Sequence, residues 1–180
     1  MPKNMSIFSD QNKKKYYITI VLFILVCNSI GCGLELPSPP PDIFYKYNEL
    51  KVGKGPAHLI TVDLNLDGLP DLVSANAKNN TLSVLISKGD GTFRKTITLP
   101  VGSEPTTIAT GDINGDGIPD LFTNSRGGGE FISLLGYGNG SFLKLPSTKT
   151  GRVPLAIIPA DFNGDKKLDV AITLTFAKME

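Results

Sequence analysis

The chain has 180 residues, 41% of them hydrophobic, and a formal net charge of +1. That length supports one ordinary domain with a sizeable core, and the near-zero charge gives no global case for nucleic acid or an acidic substrate. Cys27 and Cys32 are the two cysteines, both in the N-terminal apolar segment, and the single histidine is His58, which excludes a disulfide framework and argues against zinc.

Residues 1–32 read as a targeting segment. Lys13, Lys14 and Lys15 precede an apolar run over 16–26, followed by Cys27-Asn28-Ser29-Ile30-Gly31-Cys32. A basic stretch, an apolar helical stretch and small residues form a secretory signal pattern. The 15 residues from Tyr16 to Ile30 are short for a membrane span. Ser29-Ile30-Gly31-Cys32 resembles a bacterial lipobox, with Ser29 where that motif usually has Leu. The resemblance implies lipidation of Cys32, and so a membrane partner through that anchor and a place in the cell envelope or outer surface. Ordinary signal cleavage with secretion, or a short uncleaved anchor, is the alternative. Residues 33–42 (GLELPSPPPD) are proline-rich without apolar periodicity and read as a semi-rigid extended tether.

From residue 43 onward the chain repeats with a step of 49. Asp63-Leu64-Asn65-Leu66-Asp67-Gly68-Leu69-Pro70-Asp71 recurs as Asp112-Ile113-Asn114-Gly115-Asp116-Gly117-Ile118-Pro119-Asp120. It recurs again as Asp161-Phe162-Asn163-Gly164-Asp165-Lys166-Lys167-Leu168-Asp169. Gly53 and Pro56 return as Gly102 and Pro105, then as Gly151 and Pro154, and Phe44, Phe93 and Phe142 keep the same phase.

Each unit reads as four strands, in the first unit over 57–62, 71–76, 82–87 and 93–99. Turn signals separate them at Lys78-Asn79-Asn80 and Gly89-Asp90-Gly91, and in the second unit at Gly127-Gly128-Gly129 and Gly138-Asn139-Gly140. After the leader no stretch shows helical periodicity. Four short antiparallel strands per unit at this period predict an all-β fold of propeller blades. The span 44–176 holds about 2.7 units, against the roughly 4–8 blades of a closed propeller. The expectation is therefore part of a longer propeller, with an open array or a ring of several chains as the alternatives.

The aspartate loops carry the chemistry. A hard cation such as Ca²⁺ takes six to eight oxygens at about 2.3–2.6 Å. Oxygens at alternate positions of a tight turn supply them: Asp63, Asn65 and Asp67 at positions 1, 3 and 5, the Leu69 carbonyl at 7 and Asp71 at 9. The second loop offers Asp112, Asn114, Asp116, the Ile118 carbonyl and Asp120. The third offers Asp161, Asn163, Asp165, the Lys167 carbonyl and Asp169. Gly68 and Gly117 at position 6 permit a left-handed turn, whereas Lys166 there costs about 1 kcal/mol. An EF-hand needs flanking helices and Glu at position 12; Ser74, Thr123 and Ile172 stand there between strand-like flanks. A metal-free Asx turn is the plain alternative, set against the mutual repulsion of three carboxylates in nine residues. The expected affinity is on the order of 10⁻⁴–10⁻³ M, as in other extracellular modules.

Gly-x-x-Pro, an apolar strand, Asp-x-Asn-x-Asp-Gly-x-x-Asp, a second apolar strand and Gly-Asp-Gly-Thr-Phe together resemble the FG-GAP/VCBS repeat over 44–176. The family forms the propeller heads of integrin α-subunits and occurs in many bacterial surface proteins. The resemblance implies a calcium-stabilised, non-catalytic adhesion or recognition domain whose partner is a surface protein or carbohydrate. An accessory or partial domain of a polysaccharide-active enzyme, or an inert truncated product, is the alternative. Other signals are absorbed by the repeat. Arg126-Gly127-Gly128-Gly129-Glu130 falls at a hairpin with no following helix to bind phosphate. Asn79-Asn80-Thr81 and Asn139-Gly140-Ser141 match the glycosylation sequon but fall at turns. The in-phase phenylalanines read as core, and no Ser/His/Asp or Cys/His set is available.

Overall fold

The computed structural model describes residues 5–8 and 47–175. Backbone packing divides the chain into one unit of Ser6–Leu50 and another of Met1–Met5 with Lys51–Glu180. Strands β1 (Met5–Phe8) and β2 (Tyr47–Leu50) pair with each other, almost wholly within the first. The expected leader helix, Cys32, the 33–42 tether and Phe44 lie outside the described residues. Among the described residues every regular element is a strand, and no helix is long and apolar enough to cross a membrane.

The second unit is a series of antiparallel sheets. The first blade is β3 (Pro56–Val62), β4 (Asp71–Asn76), β5 (Thr81–Leu85) and β6 (Ile97–Pro100), hydrogen-bonded in chain order. The second is β7 (Ile108–Gly111), β8 (Asp120–Ser125), β9 (Glu130–Gly136) and β10 (Phe142–Lys144), with β11 (Thr148–Lys149) also on β9. The third sheet pairs β12 (Val153–Ala160) with β13 (Asp169–Thr175). In all three, the aspartate loop joins the first strand to the second, as the repeat predicts.

In the first blade two boundaries differ from the sequence expectation by more than one residue. The third strand ends at Leu85 and the fourth begins at Ile97, not at Phe93. Between them Phe93 meets Ser87 in an isolated bridge, closed by Lys88 N–H to the Thr92 carbonyl and Arg94 N–H to the Ile86 carbonyl. The chain leaves the ladder at 94–96, where Thr96 Oγ1 donates to the Lys51 carbonyl. In the second blade the fourth strand is split: β10 pairs with Leu134–Gly136 and β11 with Glu130 and Phe131. Pro146 lies between them, and a proline has no amide to give the ladder.

The core lies across the first two blades. Leu64, Val73, Ala75, Leu82, Val84 and Ile86 from the first pack with Ile108, Leu121, Ile132 and Leu134 from the second, and Phe142 packs against this cluster. Strands β4 and β8 are buried almost throughout, so their polar side chains are satisfied inside. Asn76 Nδ2 donates to Ser83 Oγ at 2.9 Å and to Thr81 Oγ1 at 3.1 Å, and its Oδ1 accepts from Ser74 Oγ. Side chains also stitch one sheet to the next. His58 Nδ1 accepts from Ile108 N–H at 3.2 Å, and Thr107 Oγ1, one repeat later, donates to the Leu155 carbonyl. A Cβ on Gly111 would lie 2.7 Å from Leu168 Cδ2, so glycine allows the third loop to press on β7.

Candidate metal centre

Each loop is one turn organised by its position-1 aspartate. Its Oδ2 accepts the position-6 amide, from Gly68, Gly117 or Lys166, at 2.8 Å in all three. The turn needs a left-handed residue at that position, with φ of 81° at Gly68, 79° at Gly117 and 66° at Lys166. Lys166 therefore takes the strained conformation that the sequence predicts for it.

The position-5 aspartate closes the other half. Its Oδ1 accepts the position-7 amide: Leu69 at 2.9 Å, Ile118 at 2.8 Å and Lys167 at 2.8 Å. Its Oδ2 accepts the position-3 asparagine amide, from Asn65 at 2.8 Å, Asn114 at 2.8 Å and Asn163 at 3.4 Å. The structure thus brings Asp63, Asn65 and Asp67 into one turn, and likewise their two counterpart sets.

The position-9 aspartate stands apart. Asp71 and Asp120 are fully buried. Asp71 Oδ2 accepts Leu64 N–H at 2.9 Å and its Oδ1 accepts Ser87 N–H at 2.8 Å. Asp120 does the same with Ile113 at 2.9 Å and Gly136 at 2.8 Å. Asp169 Oδ2 accepts Phe162 N–H at 3.1 Å. These carboxylates fasten the start of the loop to the start of the second strand, and in the first two blades also to the end of the third. Among the described residues, no three His, Cys, Asp or Glu side chains form a metal-holding group. In each loop the position-1 and position-5 carboxylates share one turn with an amide oxygen and a carbonyl, and the position-9 carboxylate stands at its sheet end.

A model of the FG-GAP-like repeat matches residues 63–123, and one of the FG-GAP repeat matches 105–143. These are FG-GAP repeats. A search of the curated proteins finds no match. FG-GAP repeats occur in extracellular and surface proteins, in adhesion-type β-propeller modules, and are generally non-catalytic.

The three loops are not equivalent inside. In the second and third, the position-4 glycine donates to the position-1 carboxylate, Gly115 at 2.7 Å and Gly164 at 2.6 Å. Loop one has Leu66 there, held at φ 58°. The position-3 asparagine oxygen accepts the position-5 amide in the later loops, at 3.2 Å for Asn114 and 2.8 Å for Asn163. In the first loop Asn65 Oδ1 is sealed from solvent and has no hydrogen-bond partner. An orphaned buried oxygen fits a cation-binding set, since a hard cation takes amide oxygens as readily as carboxylates. Sequence reasoning named Asn65 among the oxygen donors but missed Leu66 and, with it, the unpartnered state of that oxygen; the signal was Leu66 standing where the other repeats have glycine.

The amide donors also set an acid response. The Gly117 amide, with those of Gly115 and Asp116, holds the Asp112 carboxyl below its usual 3.8. The Lys166 amide leads the same effect on Asp161. A carboxylate held low in the folded chain binds protons less readily there than in the unfolded chain. Its stabilisation is complete above 3.8 and is lost as pH falls through the lower folded value. Metal-free thermal unfolding from pH 5 downward, about one unit above the carboxylate range, is expected to show this loss. Asp112→Asn is expected to flatten the decline, and an unchanged slope would remove Asp112 from it.

Proposed function

We propose that this FG-GAP array is a calcium-stabilised recognition module that works outside the cell and catalyses no reaction. The orphaned Asn65 Oδ1 carries the reading. A buried acceptor without a donor costs about 1–3 kcal/mol, a cost that an oxygen-seeking cation removes. Asp63, Asn65 and Asp67 with the Leu69 carbonyl would hold the ion in the first repeat. Asp112, Asn114, Asp116 and the Ile118 carbonyl would do so in the second, and Asp161, Asn163, Asp165 and the Lys167 carbonyl in the third. Asp71, Asp120 and Asp169 would back these sets from the sheet side.

When bound, Ca²⁺ supplies the positive charge that relieves repulsion between the position-1 and position-5 carboxylates. The residues hold the connection between the first two strands of each blade, so the ion's contribution is to stability and to the fixed placing of loops. Recognition then falls to loops that vary between repeats on this rigid frame, with a surface protein or carbohydrate as partner. Export through residues 1–32, with a lipid on Cys32, would put the module at the cell envelope.

Thermal unfolding of the full chain in millimolar calcium, millimolar magnesium and chelator tests this. The transition is expected to be highest in calcium. With millimolar calcium and a Kd on the order of 10⁻⁴–10⁻³ M, each site adds about 0.4–1.4 kcal/mol. Asp67→Ala or Asp116→Ala should lower the calcium transition while leaving the chelator transition nearly in place. Coincident transitions in all three conditions would sink the calcium reading.

A further inference from the structure

Resting on the calcium reading above, we infer that the three loops fill in order, with the first loop taking its ion ahead of the other two. The later loops are already satisfied by their own amides. In each, the asparagine oxygen accepts from the position-5 amide and the position-1 carboxylate accepts from the glycine, whereas in the first loop the position-5 amide of Asp67 goes to Asp63 Oδ1 at 3.1 Å. A cation entering the later loops must compete with those bonds. The first loop has neither: Asn65 Oδ1 is buried without a donor, and Leu66 occupies the glycine's place in a left-handed conformation.

Burial points the same way. Asp63 and Asn65 are half-buried, beside Leu64, which is 1% exposed in the core. In the second loop Asp112 is half-buried but Asn114 is exposed, and Asp161, Asn163 and Asp165 of the third loop are all exposed. The counterpart of Leu64 in that loop, Phe162, is 61% exposed. Asp67 is exposed, as Asp116 is, so the first loop differs from the second in Asn65: an amide oxygen screened from water attracts a cation more strongly than the same oxygen in solvent. The third loop also carries Lys166 and Lys167, whose charges oppose a cation.

The test is a calcium titration of isotope-labelled full chain followed through the amide resonances of Gly68, Gly117 and Lys166. Each donates to the position-1 carboxylate that the ion would engage. Gly68 is expected to shift at several-fold lower calcium than the other two. Asn65→Ala should raise the calcium needed to move Gly68 by tenfold or more and leave Gly117 unchanged, while Asn65→Asp, which keeps an oxygen there, should restore early filling. Leu66→Gly should bring the Gly68 titration toward that of Gly117. Simultaneous shifts, or Gly117 or Lys166 moving first, would overturn the order while leaving calcium binding intact. No shift of any of the three at millimolar calcium would overturn both the order and the calcium reading.

Discussion

Asp120→Ala is expected to destabilise the chain by about 3–5 kcal/mol, and by the same amount in calcium and in chelator. The carboxylate is buried and accepts the amides of Ile113 and Gly136. Alanine leaves both donors without a partner, at about 1–3 kcal/mol each. Neither can easily turn elsewhere. A Cβ on Gly136 would press directly against the Pro119 carbonyl, so the backbone there is already in close approach. Asp71→Ala removes the same pair of bonds from Leu64 and Ser87 and should behave alike. Asn in place of either aspartate keeps one acceptor but turns an NH₂ toward an amide, and is expected to recover only part of the loss. Denaturant unfolding with and without calcium decides it. A loss that disappears in chelator would make position 9 chiefly a metal ligand, as its spacing alone suggests.

The second expectation is that Asn124→Ala costs about 3 kcal/mol and loosens the third sheet from the second. Asn124 is fully buried on β8. Its Oδ1 accepts the amides of Thr106 at 2.8 Å and Thr107 at 2.9 Å. Its Nδ2 donates to Thr106 Oγ1 at 2.8 Å and to the Pro154 carbonyl at 2.8 Å. The last of these bonds reaches β12 across the gap between sheets. The repeat counterpart of Asn124 is Ala75, which lies in the shared apolar core, so alanine fits the strand itself. The cost arises from the stranded Thr106, Thr107 and Pro154 backbone groups. Amide hydrogen exchange should therefore show faster opening across β12 and β13 than across β3 to β6. Uniform acceleration over all sheets would mean that Asn124 supports only its own blade.

Most of the fold was legible because the sequence repeats its punctuation. The 49-residue step located every aspartate loop, and the strand over Asp71–Asn76 was read at its observed bounds. The all-β blade architecture follows from that periodicity, and the family match agrees with it. The fourth strands were less legible. Their limits depend on where Thr96 is drawn to Lys51 and where Pro146 interrupts the ladder, and neither contact is local.

The loops were legible as oxygen-rich turns, but the division of labour within them was not. Spacing alone makes Asp63, Asp67 and Asp71 look like one set. The pairing of β4 with β5 brings Ser87 N–H to Asp71 and draws that carboxylate into the sheet. Asn80 and Glu104 take φ of 58° and 52° with no glycine to announce it. Asn80 Oδ1 accepts Glu104 N–H at 3.0 Å, a contact between residues 24 apart that no local rule contains.

The stitches at His58 and Thr107 have a consequence for how such a chain can change over generations. Each is a side chain bonded to a neighbour's backbone atom, the Ile108 amide or the Leu155 carbonyl. The receiving blade contributes nothing specific to its own side chains at that point. A blade copied, deleted or exchanged by recombination would therefore meet its new neighbour with half of the junction already made, without a matching substitution on the other side. The two junctions already differ in this way: one uses an imidazole acceptor and the next a hydroxyl donor, and both succeed against unmodified main chain.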